Sequence, residues 1–159
     1  MLKIFVPISF AALALCATSA SAGTKVSNNL STCNSGKGPA VLVTITGIKN
    51  SEGKIRVQSY KANSSEWLAR GKWLHRIESS ASQGTMSICV PITAGNNTYG
   101  IAVRHDRNAN GKTDISKDGG GFSNNPSLNI FNLGKPSYKK VGFTAGSGVT
   151  RITINMKYM

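Results

Sequence analysis

Acidic side chains are scarce in this chain. Its 159 residues hold six carboxylates against 19 lysines and arginines, a formal net charge of +13. Such a charge disfavours basic partners and favours acidic ones: lipid headgroups, polyanionic glycans or nucleic acid. The basic residues form no run of five or more, and no stacking aromatics are interleaved with them. Both facts argue against nucleic acid. Beyond residue 22 no stretch is apolar enough to span a bilayer. No internal repeat appears, nor a long helical period, nor a nucleophile-elbow motif, so repeat architectures and the common serine-hydrolase design are excluded.

What is present begins with an address. Lys3 precedes an apolar run from Ile4 to Leu15, and Ala20-Ser21-Ala22 is a small-residue cleavage site. This pattern predicts a secretory signal peptide over residues 1–22, cleavage near Ala22, and a periplasmic or secreted product. Leu15 before Cys16 is too large for a lipoprotein cleavage site. Residues 23–38, rich in Ser, Asn and Gly, read as a flexible arm, and 39–159 as one domain. Cys33 and Cys89 are the two cysteines left after cleavage. In an oxidising compartment they are expected to form a disulfide, worth about 4 kcal/mol in the chain-entropy model. That bond would pin the arm to the domain.

The domain reads as short strands. Val41–Ile48 is β-branched, and Lys54–Lys61 alternates Ile55 and Val57 with Arg56 and Gln58. Trp73–Glu78, Thr85–Ile92 and Thr98–His105 follow, with Cys89 opposite Met86, Ile88, Val90 and Ile92. Tyr138–Thr144 and Val149–Tyr158 close the chain, the last with Ile152, Ile154, Met156 and Tyr158 inward. Ser64 or Ser65 could cap a short helical turn through Trp67-Leu68-Ala69. Trp67 and Trp73, the only tryptophans, are expected to cover the core. About seven strands with no long helix predict an all-β fold, a two-layer antiparallel sandwich.

One loop differs from the rest. All three aspartates of the chain, Asp106, Asp114 and Asp118, lie within His105–Pro126. Asp106, Asn108, Asn110 and Asp114 fall at positions 1, 3, 5 and 9 of an EF-hand-type loop. Gly111 takes the sharp turn at position 6, and the Lys112 carbonyl stands at position 7. Alternate residues of such a loop turn oxygens inward, which makes these five a candidate Ca²⁺ site. Position 12 is Lys117 where a bidentate Glu is wanted, and Arg104, Arg107, Lys112 and Lys117 outnumber the aspartates. Any Ca²⁺ site is therefore expected to be weak. The competing reading is an Asx-rich turn that satisfies its own backbone, with Gly119-Gly120-Gly121 supplying freedom to turn back.

These residues together resemble a known family. A strand like Leu42–Ile48 is followed by a turn and a second strand like Gly53–Tyr60. Tyr99-Gly100-Ile101-Ala102-Val103 then runs into His105-Asp106-x-Asn108-x-Asn110-Gly111-Lys112-x-Asp114. Gly121-Phe122-Ser123-Asn124-Asn125 and a closing strand ending in Tyr158 complete the likeness. The pattern is similar to the DUF2141 family of bacterial exported proteins, over about residues 38–159. The resemblance implies a small β-sandwich similar to transthyretin-like or carboxypeptidase-regulatory domains and carries no established activity; the fold class expected is a transthyretin-like or immunoglobulin-like sandwich. Asp118-Gly119-Gly120 stands where many members have a longer Gly-Pro-Glu-type segment, which removes a possible metal ligand.

Three functions follow as expectations. The first is a non-catalytic module that binds an anionic envelope component, a lipid headgroup or polysaccharide, with the loop as a weak Ca²⁺ site. The second is a purely structural or assembly partner in the periplasm. The third is a hydrolase using His105 with Asp106 or Asp114 and the Ser123 hydroxyl. Neighbouring strand residues point to opposite faces, so Asp106 is poorly placed to orient His105.

Overall fold

The computed structural model describes residues 23–34, 38–128 and 134–159. The expected signal peptide and its cleavage site lie outside the described residues, as do Ile130 and Phe131. Among the described residues no helix is long and apolar enough to cross a membrane.

The chain is mostly β and forms two sheets. The larger runs in the order β1 (Thr24–Lys25), β4 (His75–Ser80), β3 (Lys54–Lys61), β6 (Asn97–Asp106), β7 (Gly119–Phe122) and β10 (Lys157–Tyr158). β8 (Phe143–Ala145) also pairs with β6, at its opposite end from β7. The smaller sheet is β5 (Gly84–Pro91), β2 (Ala40–Ile48) and β9 (Val149–Asn155).

Alternation builds the core. Val41, Val43 and Ile45 of β2, Ile88 and Val90 of β5, and Ile154 of β9 come from the small sheet. They meet Ile55 and Val57 of β3, Ile77 of β4, and Ile101 and Val103 of β6 in one buried cluster. Each such side chain contributes roughly 1.5–3 kcal/mol before entropy is charged. Cys89 lies on the opposite face of β5, in a second cluster with Cys33 and Ala40. The Cys33–Cys89 disulfide forms, with Cα atoms 5.8 Å apart.

Several expectations need correction. The pairing is not wholly antiparallel: β2 and β9 run parallel from Ala40 opposite Val149 to Thr46 opposite Asn155. Tyr138–Thr144 is not one strand. Ser137 caps a single helical turn, α1 (Tyr138–Val141), and β8 starts only after Gly142. The turn near Trp67 is not capped by Ser64 or Ser65; the Asn63 side chain accepts the Ser65 and Glu66 N–H groups instead. Gly119-Gly120-Gly121 is strand, not a flexible return. Val149–Tyr158 breaks at Met156, where the chain leaves the small sheet and β10 joins the large one. The described part of the arm is also tied down by more than Cys33. β1 lies parallel to β4, and the Asn28 side chain bonds Ser87 and Cys89.

Candidate functional site: the aspartate loop

The loop is the connection between β6 and β7. Its two buried carboxylates stand at its neck: Asp106 ends β6, and Asp118 immediately precedes β7. His105 pairs with Gly119 across that neck. The loop is thus held at both ends by the large sheet.

Backbone N–H groups fill the carboxylates. Asp106 Oδ1 accepts from Asn110 N at 3.2 Å, and Oδ2 accepts from Gly111 N at 2.9 Å. Asp118 accepts from Arg107 N at 3.2 Å and from Asp114 N at 2.9 Å. Asn108 Oδ1 accepts from Asn110 N, and Asn110 Oδ1 from Lys112 N at 2.7 Å. These are successive Asx turns. Gly111, at φ +77°, supplies the left-handed turn expected of it.

Asp114 collects the amides. Its Oδ2 accepts from Asn108 Nδ2 at 2.9 Å and Asn110 Nδ2 at 2.8 Å. The Asn108 and Asn110 hydrogen bonds hold its carboxyl below the usual aspartate value; the slight burial opposes them, and Lys117 and Lys112 add to the lowering. Arg104 then ties the loop to the sheet. Its guanidinium donates to Thr113 Oγ1, Gly111 O and Asp106 Oδ2 at 2.9, 3.0 and 3.2 Å. Of the five expected ligand residues, Asn108, Asn110 and Asp114 meet by their side chains, while Asp106 reaches Asn110 only at its backbone N–H. The fifth, Lys112, joins them by donating its own N–H. The Asp106, Asn108 and Asn110 side-chain oxygens accept backbone N–H groups of the loop itself. Among the described residues no three His, Cys, Asp or Glu side chains cluster as metal ligands.

The proposed acid–base residues go elsewhere. His105 is fully buried. Its Nε2 lies 2.7 Å from the Glu52 carbonyl, which can only accept, so Nε2 carries the hydrogen. Nδ1 lies 2.8 Å from the Tyr158 hydroxyl, whose oxygen accepts from Lys49 N at 3.0 Å. Burial raises the Tyr158 pKa, against the Lys49 N–H and Arg107, which lower it. Ser123 is buried too; its Oγ accepts from Ile101 N and donates to Val141 O. Neither Asp106 nor Asp114 contacts the imidazole. Sequence reading missed this Lys49–Tyr158–His105–Glu52 relay. Its one available signal was the inward phase of Tyr158 in the closing strand.

A family model described as "Uncharacterized protein conserved in bacteria (DUF2141)" matches residues 43–153. The chain belongs to the DUF2141 family. The match takes in the whole aspartate loop and His105. It ends short of Tyr158 and begins beyond Cys33, so this DUF2141 chain carries its closing phenol and one of its two disulfide cysteines outside the matched stretch, while Cys89 lies within it. No curated protein matches it, and no solved structure does.

Proposed function

We propose that this DUF2141 chain is an exported, non-catalytic β-sandwich, transthyretin-like or immunoglobulin-like, that works by binding anionic components of the cell envelope. One observation carries the non-catalytic part. Both ring nitrogens of the buried His105 are engaged by Tyr158 and Glu52, so the best acid–base candidate is a structural core group. The binding part rests on charge. Among the described residues three ion pairs form, using Arg56, Arg104 and Arg107. None of the described lysines is in those pairs, which leaves them available to an acidic surface. The test is retention on vesicles containing phosphatidylglycerol, or on lipopolysaccharide, across a salt series. Binding at low ionic strength and release by about 0.5 M salt is expected, because screening shortens to a few ångströms. Retention that salt does not change, or none at low salt, contradicts the reading.

A calcium-loaded loop is the second reading. The observation favouring it is the meeting of both Asn amides on one Asp114 oxygen, beside Asp106. Asp106, Asn108, Asn110 and Asp114, with the Lys112 carbonyl, would hold the ion. The Asn side chains would have to rotate and give up their Asx turns, which makes such a site weak.

A further inference from the structure

A cavity of about 270 Å³ opens on the outer face of the large sheet. Its floor is Ala102 of β6 with Gly120 and Phe122 of β7. Gly120 leaves the floor open. A Cβ there would meet nothing within 4 Å, whereas one at Gly119 would strike the Tyr158 ring, and one at Gly121 would come within 2.7 Å of Ile154. Alternation explains the difference: Gly119 and Gly121 face the core, and Gly120 faces out. Core packing therefore accounts for two of the glycines and not for the third.

Four features bear on what the space could hold. Among the described residues only Leu30, Ile115 and Met159 are large exposed apolar side chains, and two of them, Ile115 and Met159, stand at this mouth. Leu68 walls the cavity from a backbone φ of +54°. A bulky side chain rarely occupies that region, and such strain gathers at ligand sites. Lys135 and Lys157 lie exposed along the lining and form no ion pair among the described residues. The buried Nε of Arg104, which also lines the space, has no hydrogen-bond partner among the described residues. The only acid in the lining, Asp118, already accepts two backbone N–H groups.

We propose that this cavity binds a small amphipathic anion, of which a medium-chain alkyl carboxylate is the simplest case. The alkyl body lies over Gly120 and Phe122 beneath Leu68, and the carboxylate meets Lys135 and Lys157. The volume sits at the low end for ligand pockets, which suits one short chain and excludes a two-chain lipid. This inference does not rest on the envelope reading, since the cavity can fill whether or not the surface meets a polyanion.

The test is titration of decanoate, below its micelle concentration, into the purified oxidised protein. Calorimetry and Trp67 fluorescence follow it; the Trp67 ring packs edge-on against Phe122 at 5.9 Å. Saturable one-to-one binding is expected, with decyltrimethylammonium failing to bind. Gly120→Leu fills the floor and weakens decanoate about tenfold or more. Lys135→Ala with Lys157→Ala weakens decanoate about tenfold while leaving decanol unchanged. Should Gly120→Leu fail to fold, Ile115→Asp at the exposed mouth takes its place with the same expected loss. The proposal is overturned by absence of saturable decanoate binding, by equal binding of the cationic amphiphile, or by unchanged affinity in either the pocket or the lysine variants.

Discussion

At the scale of single residues, the side chains with the most chemical promise serve the fold. Tyr158 accepts a hydrogen bond from Lys49 N–H, and its hydroxyl bonds Nδ1 of the buried His105. Tyr158→Phe keeps the ring but leaves Lys49 N–H and His105 Nδ1 without their partner. A loss of about 1–3 kcal/mol in urea unfolding is expected, the range for a buried group left unsatisfied. His75 is a different case. It is half-buried, its Nδ1 has no partner, and desolvation lowers its pKa from the ordinary 6.5. The unfolded chain therefore takes up the proton first as pH falls. Stability present above the unfolded value is lost on the way down through the folded one. Thermal midpoints should decline between about pH 7 and 5, and His75→Gln should flatten that decline. A histidine's place in a strand could be read from sequence. Its partners could not, because Glu52 and Tyr158 are distant in sequence from His105 and from each other.

At the scale of elements, β7 shows where local preference gives way. Three consecutive glycines have little strand propensity and invite a reading as turn. Tertiary packing decides otherwise, because Tyr158 and Ile154 lie where side chains at Gly119 and Gly121 would be. Gly121→Ala should cost about 1–3 kcal/mol through overpacking. Gly120→Ala should be neutral or gain about 0.4–1 kcal/mol by restricting the unfolded chain. Paired denaturation curves check the contrast; equal losses at both sites would remove the assignment of faces. The loop itself was legible in its spacing. Gly111 makes the turn, and the Asn108 and Asn110 amides meet on Asp114, with Asp106 on the Asn110 backbone. What filled their oxygens was not legible, since backbone N–H groups and a cation satisfy the same Asx pattern. Tyr138–Val141 shows the same limit, where a Ser137 cap turns an alternating segment into helix.

At the scale of the molecule, alternation in Val41–Ile48, Lys54–Lys61, Thr85–Ile92 and Thr98–His105 was enough to read the β class, and the cysteine pair to read the staple. The order of strands was not available that way. Alternation says which residues face inward but not which strand lies beside which, so the parallel pairing of β2 with β9 and the crossing of β10 to the large sheet came only from the structure. The resulting molecule holds its one oxygen-rich loop with internal hydrogen bonds, and no lysine joins an ion pair among the described residues. The most direct measurement of that claim is thermal unfolding of the oxidised protein in EGTA and in millimolar Ca²⁺. A site filled at a hundredfold excess over its dissociation constant would add about 2.7 kcal/mol, several degrees for a domain of this size. A loop complete in itself predicts the same midpoint in both buffers. A rise of several degrees with Ca²⁺, lost in Asp114→Asn, would contradict it.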